Sequence, residues 1–412
     1  MHARAIQPAV EAALADTPVV LLHGARQVGK TTLARAIEPS HRRYLTLDDG
    51  ATLAAASADP DAFIAGLRGP VVIDEIQRAP ELFRAIKFAV DRDRAPGRFL
   101  LTGSANVLLL PRLSESLAGR MEIITLWPLS QGELEGAPEG FIDAVFASPR
   151  TAAPALVHQP DKVGIVARVL RGGFPEAAAR TDAARRNAWF QAYFTTVLQR
   201  DVRDLANVEG LTALPSVLTL LATRAGGLLN AADLSRSLSI PATTLKRYLT
   251  LLEAVFLYVP APAWMSNAGL RLSKSPKTLL ADTGLAASLA GVTAERLAND
   301  PHLFGPLLEN FVAMELRKQA GWSRVRINLL HFRTHAGREV DLVLEAADGR
   351  IAGIEVKGGR SIDAADFAGL RALAEAAGKK FAAGILLYAG DEVLSFGPGL
   401  YAAPIRTLWQ TT

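Results

Sequence analysis

The chain gathers its apolar residues in two ways, as short unbroken runs and as segments with helical spacing. Residues 18–23, Pro-Val-Val-Leu-Leu-His, form a run that ends at Gly24, and residues 31–37 continue at helical spacing. An uninterrupted apolar run suits a strand buried on both faces, so the pattern predicts a strand, a glycine-containing loop and a helix. Two more runs follow: 70–73, ending in Asp74 and Glu75, and 98–102, ending in Gly103-Ser104-Ala105-Asn106, with a helical pattern at 81–91 between them. Strands alternating with helices predict a parallel sheet covered on both faces, with ligand-facing polar residues at the carboxyl ends of the strands.

Past residue 133 the pattern weakens. Residues 133–160 are rich in proline, glycine and alanine with little periodicity, which predicts a boundary or loose connection, and 162–207 reads as helical. Residues 230–237 and 242–253 are amphipathic segments joined by Leu238-Ser239-Ile240-Pro241, with Pro241 placed to open the second; the pair resembles a winged-helix unit. Strand-like runs at 326–332, 339–345, 351–356 and 381–388, with helices at 306–319 and 364–377, predict a second α/β domain. The expected divisions are an α/β unit over 1–135, a helical lid or linker over 136–210, a winged-helix-like unit over 211–280 and the second α/β domain over 281–412. No internal repeat is visible.

Composition narrows the classes. A chain of 412 residues exceeds one ordinary core, and the balance of 50% hydrophobic to 21% charged residues is that of globular domains. The absence of cysteine excludes disulfides, thiolate zinc sites and cysteine nucleophiles, and favours a reducing compartment, hence the cytoplasm. Residues 1–16 alternate apolar and charged positions like a first helix rather than a secretory leader. The longest apolar stretches, such as 254–265 with Pro260 and Pro262, are too short and broken to span a bilayer. A net charge of +4 permits contact with nucleic acid without demanding it.

The chemistry begins at the first loop. Gly24-Ala25-Arg26-Gln27-Val28-Gly29-Lys30-Thr31, followed by Thr32, satisfies GxxxxGK[ST] between a strand and a helix. Glycines let the backbone wrap closely around phosphates and offer them its N–H groups; Lys30 supplies the neutralising charge and Thr31 a hydroxyl for Mg²⁺. Asp74 and Glu75 end the next apolar strand, where the first acid suits the Mg²⁺ shell and the second suits orienting or deprotonating the attacking water. Asn106, past the third strand, is placed either to position that water or simply to form a turn.

These residues carry a resemblance. The segments 23–32, 71–77 with Asp74-Glu75-Ile76-Gln77, 100–106 and Leu117-Ala118-Gly119-Arg120 together resemble a family of bacterial and archaeal AAA-type ATPases. In that family a domain of unassigned function follows, which Arg171-Gly172-Gly173-Phe174-Pro175-Glu176, Ala281-Asp282-Thr283-Gly284-Leu285 and Glu309-Asn310-Phe311-Val312 resemble. The resemblance implies a P-loop NTPase fold, ATP and Mg²⁺ as cofactors, and assembly into homo-oligomers. It also implies that Arg120 or Arg112 reaches the γ-phosphate of the next subunit, unless it is an ordinary ion-pairing arginine.

A second constellation lies near the C-terminus. Asp341 falls within one predicted strand and Glu355 and Lys357 close the next, so strand alternation should bring the three side chains together, with Glu309 on the preceding helix as a third acid. Such a set suits a divalent metal and water activation. The order helix, three strands, helix, strand is similar to the PD-(D/E)xK, restriction-endonuclease-like fold, with Val340 where that motif has proline. The same residues also suit a surface charge ladder in a domain that binds without cutting.

On the winged-helix-like unit, Thr243, Thr244, Lys246 and Arg247 should face solvent while Leu245, Leu249 and Leu252 pack inward. Over 243–280, Lys246, Arg247, Arg271, Lys274 and Lys277 oppose one acid, Glu253, an asymmetry that fits DNA contact but also protein docking. The sequence thus points to ATP hydrolysis acting on a macromolecular partner, DNA or protein, with a nucleotide-gated binding module carrying an inert nuclease-like domain as the second reading.

Overall fold

The computed structural model describes residues 2–37, 41–106, 117–147, 163–198, 202, 212–265, 271 and 274–411. Strands β1 (Val19–His23), β2 (Arg43–Thr46), β3 (Val71–Asp74), β4 (Phe99–Gly103) and β5 (Met121–Thr125) form a parallel sheet in the order β2-β3-β4-β1-β5. The inner strands β1, β3 and β4 are buried at every position, which is why they read as continuous apolar runs. Alternate residues serve opposite faces: Val20 and Leu22 pack beneath the helices Gln7–Asp16 and Lys30–Ala36, while Val19 and Leu21 pack with the helix Leu82–Arg92. Edge strands β2 and β5 are only partly buried and carry mixed residues, so neither showed in the pattern.

The loose connection expected from 133 onward is corrected in its first part. Helices Gln131–Glu135 and Phe141–Ala147 stand there, with Gln131, Glu133, Phe141 and Ile142 buried. They are too short to show a helical period, but Ser130 and Glu133 form a capping box, whose S-x-x-E spacing was the readable signal. Residues 148–162 lie outside the described residues.

Helices Ile165–Arg171 and Ala183–Val197 lead to a group of three, Leu214–Thr223, Ala231–Ser237 and Ala242–Ala254, followed by the antiparallel pair β6 (Tyr258–Ala261) and β7 (Lys277–Leu280). Leu245, Tyr248 and Leu252 turn into the core and Lys246 and Arg247 outward, as the helical period requires. Helix Thr283–Leu289, capped by Asp282, packs back on Ile165–Arg171 and Leu214–Thr223.

Helix Pro301–Gln319 then opens the last unit, beginning five residues before the expected start. Strands β8 (Ile327–Arg333), β9 (Glu339–Ala346) and β10 (Ile351–Lys357) run antiparallel, and β11 (Phe381–Tyr388), reached through helix Ala368–Ala377, pairs parallel with β10. Strands β12 (Leu394–Gly397) and β13 (Leu400–Pro404) complete the mixed sheet, in the order β12-β13-β11-β10-β9-β8. A single apolar core runs from one face of the first sheet through the middle helices to the second sheet, so the three parts are packed together. No helix among the described residues is long and apolar enough to cross a membrane.

Candidate functional site

The phosphate loop leaves β1 at His23, whose buried ring donates or accepts at Thr125 Oγ1 over 2.8 Å; burial first, and then the charge of Lys30, lower its pKa to about 4, so it is neutral at pH 7. Gly24 must be glycine, because a Cβ there would stand 2.1 Å from the Leu126 carbonyl oxygen. Further along, Gly29 has φ +98° and Gln27, a non-glycine, has φ +61°. The Lys30 ammonium lies beneath the loop and donates to the carbonyls of Gly24 (2.9 Å) and Ala25 (2.8 Å).

Arg4 braces the loop from behind. Its guanidinium donates to Val28 O (2.7 Å) and Trp127 O (2.8 Å), and it pairs with Glu133 at 2.9 Å. No motif flags this residue in the sequence, since its partners lie far along the chain.

Parallel pairing of β3 beside β4 carries Asp74 to the foot of the loop. Thr31 Oγ1 donates to its two carboxylate oxygens (3.2 and 3.1 Å), the Tyr44 hydroxyl donates to Oδ2 (2.5 Å), and the Thr102 hydroxyl donates to Oδ1. Burial and then the bond to Asp74 push the Tyr44 phenol up to about 12. Hydroxyl and carboxylate oxygens are the hard donors that Mg²⁺ prefers, so Thr31 and Asp74 fit that ion.

Glu75 sits in the left-handed region at φ +61°, where a non-glycine residue is strained. Its amide donates to Thr102 Oγ1 (3.2 Å), and its carboxylate accepts from Gln77 Nε2 and from Ser104 Oγ (3.3 Å). Gln77 Nε2 also donates to Ser104 (2.9 Å), and Gly103 leaves room for it, since a Cβ there would come within 3.2 Å of Gln77 Oε1. Glu75 lines a cavity of about 850 Å³. The P-loop from Arg26 to Thr32 lines one side, and Arg4, Glu176 and Trp189 line another, the indole stacking on Tyr193 with centroids 5.1 Å apart. That volume is in the range of small-molecule sites.

Two other expected members are fixed by contacts of their own. Asn106 follows β4, and its amide donates to Ala254 O (2.7 Å), which ties the strand end to the helix Ala242–Ala254. Nearby, Phe256, itself at φ +58°, meets His23 edge-on with centroids 4.9 Å apart. Arg120 stands at the amino end of β5, beside β1 but at the end of the sheet away from the phosphate loop, and pairs with Asp91 at 2.5 Å. Arg112 lies outside the described residues.

The C-terminal group assembles differently from the expectation. Lys357 is not beside Asp341; it pairs with Asp366 at 2.5 Å, because β10 ends where the chain turns toward residues 364–367. Its place among the acids is taken by Lys277, arriving from β7. The Lys277 ammonium contacts Glu309 Oε2 (2.9 Å), Asp341 Oδ1 (2.9 Å) and Glu339 Oε1 (3.1 Å). Asp341 Oδ2 accepts the Val356 amide (3.0 Å), and the Glu355 Oε2 atom is sealed from solvent without a hydrogen-bond partner. Burial first, and then Asp341, push Glu309 up to about 8 and Glu355 up to about 9. Among the described residues no group of three or more acids or histidines is arranged to hold a metal ion.

The basic excess over 243–280 is also smaller than the sequence suggests. Lys277 is consumed in this group, and Arg271 forms a two-pronged pair with Glu345 at 2.6 and 2.7 Å. Lys246, Arg247 and Lys274 remain exposed.

With this geometry established, comparison with known proteins places the first sheet. Residues 16–135 match the model of an AAA domain, residues 164–296 a domain of unknown function (DUF8612), and residues 304–408 a domain of unknown function (DUF4143). An uncharacterized protein of Mycobacterium tuberculosis is 35% identical over 347 residues, 84% of this chain and 71% of that protein. An uncharacterized protein of Haemophilus influenzae is 27% identical over 285 residues, 67% of this chain and 63% of its own length. Among solved structures, the Walker-type ATPase PABY2304 of Pyrococcus abyssi overlays with a TM-score of 0.40 at 16% identity, covering 69% of this chain and 94% of that one. The RuvB Holliday junction branch migration motor of Thermotoga maritima overlays with a TM-score of 0.27 at 21% identity, covering 62% and 87%.

Proposed function

The chain belongs to one family with the uncharacterized mycobacterial protein and carries an AAA domain at residues 16–135, and from that premise we propose that it hydrolyses MgATP to drive a movement of its middle region on a macromolecular partner. The observation that carries the reading is convergence: Lys30, Thr31 and Glu75, from two separate segments, line one cavity of nucleotide size, with Asp74 held directly behind Thr31.

In this reading the amides of 24–31 hold the phosphates and Lys30 swings from the Gly24 and Ala25 carbonyls to the β- and γ-oxygens. Thr31 and Asp74 would hold Mg²⁺, which would draw charge from the phosphate oxygens. Glu75 orients and deprotonates the attacking water once Gln77 and Ser104 release its carboxylate, and Trp189 offers a flat apolar face to the base. Arg120, at the other end of the strands from its own loop, would serve the site of a neighbouring subunit in an assembled protein. The link from the site to the partner runs through two contacts: Asn106 on Ala254 and His23 on Phe256, both at the end of the helix that exposes Lys246 and Arg247.

That helix with its two companions and the β6–β7 pair supports the winged-helix reading, and DNA is the partner its exposed cations fit. The C-terminal order of helix, three strands, helix and strand supports the nuclease-like reading of the last unit. Lys30→Ala tests the core of the proposal: ATP affinity should fall at least about 100-fold in a nucleotide titration, and undiminished affinity would overturn the assignment of the loop.

A further inference from the structure

We propose that the cavity between β5 and β8 takes up an extended acidic peptide of a partner protein, which adds as a strand to β5 and sets a carboxylate against Arg317. This cavity measures about 880 Å³ and is separate from the nucleotide cavity. Its walls come from the N-terminal helix, β5, the end of helix Pro301–Gln319 and the start of β8. Of the residues assigned to ATP chemistry, only Arg120 lines it.

Backbone is left open on both sides. β5 and β8 are the last strands of their sheets. Pairing with β1, closed by the Leu126 amide on His23 O, turns the main-chain groups of Glu122, Ile124 and Leu126 toward β1, so those of Met121, Ile123 and Thr125 point away from the sheet. In β8 the Ala347 amide donates to Arg326 O, and the same alternation leaves Ile327 and Leu329 pointing outward; His331, next in that row, is paired with Pro262 and Trp264. The open residues of both strands line the cavity, and among the described residues their outward main-chain groups have no partner. An open edge is a template for another polypeptide, offering main-chain pairing that a nucleic acid cannot return.

The cavity also holds a cation without an anion. Arg317 is partly buried in its wall, with Nε sealed from solvent and lacking a hydrogen-bond partner, and among the described residues it makes no ion pair. Burial lowers its pKa to about 10, with Glu253 acting in the opposite sense, so it is charged at pH 7. A desolvated guanidinium left alone is costly, and a carboxylate delivered by a ligand would satisfy it. Arg326 lines the cavity exposed and likewise without an ion pair, Arg120 is taken by Asp91, and the one acid in the lining is Glu122. That balance suits a single carboxylate, while the half-buried rings of Trp127 and Trp322 offer apolar faces to its neighbours along the peptide.

The test uses the full chain without nucleotide. The probe is a library of labelled, end-capped peptides of seven residues, the length of β8, each with a central glutamate flanked by valine, isoleucine or threonine. Binding is read by fluorescence anisotropy in wild type, Arg317→Met and Arg317→Gln, alongside thermal unfolding. Wild type should bind members of the library, and either exchanging the peptide's glutamate for glutamine or substituting Arg317 should weaken binding at least about tenfold. Of two analogues N-methylated on opposite alternating sets of amides, at least one should lose as much, because methylation removes the donors that β5 requires. Both variants should unfold no lower than wild type, since no ion pair is lost; if Arg317→Met does not fold, Arg317→Gln decides. No binding by any member, or affinity indifferent to Arg317, to the peptide's glutamate or to N-methylation, would overturn the proposal. Oligothymidylate bound through Arg317 in place of peptide would assign the cavity to nucleic acid instead, and a lower unfolding temperature with unchanged peptide affinity would make Arg317 a packing residue only.

Discussion

Gly24→Ala places a single methyl group where the structure has least room for it. The new Cβ would lie 2.1 Å from the Leu126 carbonyl oxygen and 3.0 Å from its carbon, about 1.3 Å short of ordinary contact with that oxygen. Leu126 cannot retreat freely, because its own amide donates to His23 O at 2.7 Å and fixes the end of β5 against β1. The loop must move instead, and Gly24 also has φ +154°, which an L side chain resists. Overpacking of this kind costs about 1–3 kcal/mol, which corresponds to a fall of roughly 3–10 °C in the unfolding temperature of a domain of this size. Binding should suffer more: a phosphate cradle displaced by about 1 Å loses on the order of 100-fold in productive geometry. Differential scanning fluorimetry and nucleotide titration measure the two effects, with Gly50→Ala as control, since a Cβ there meets nothing within 4 Å. A Gly24→Ala protein that unfolds and binds ATP like wild type would refute the close approach and the role assigned to this loop.

Reversal of Lys246 and Arg247 to glutamate should weaken DNA binding and flatten its salt dependence, read by fluorescence anisotropy at several salt concentrations; affinity indifferent to both salt and these substitutions would assign the helix to protein docking. Glu139 is buried, and burial and then Glu315 push its pKa up to about 8. Because the folded state holds this proton more tightly than the unfolded chain, the stabilisation is complete below about pH 4.5 and is lost as pH rises toward 8. Denaturation midpoints should therefore fall between those values, less steeply in Glu139→Gln, and an equal slope in the two proteins would contradict the burial of a protonated carboxyl.

The glycine-rich loop was legible because its pattern is local: eight adjacent residues between an apolar strand and a helix carry the whole motif. Asp74 and Glu75 were legible for the same reason, as the end of a continuous apolar run. What holds Glu75 was not, since Gln77 and Ser104 meet it only after β3 and β4 pair, and nothing in the sequence announces the left-handed backbone at Glu75. Tyr44 and Arg4 reach the site from an edge strand and from the N-terminal segment, where no periodicity or motif marks them. The C-terminal group shows the limit most clearly. Strand alternation placed Glu355 near Asp341 but misplaced Lys357, whose long side chain follows the nearer Asp366. Lys277, read from sequence as part of a basic surface, is buried among acids because a different unit folds against it; that choice is made by tertiary packing alone.

Glu75→Gln tests the central claim most directly, because it removes the proposed base while leaving the shape of the cradle and the charge of Lys30 intact. Nucleotide titration and phosphate release should be measured on the same preparation. ATP affinity should stay within about threefold of wild type while turnover falls by at least about 100-fold. Turnover at the wild-type rate in a variant that binds ATP normally would contradict the assignment of Glu75, and with it the claim that this cavity is where the nucleotide is hydrolysed.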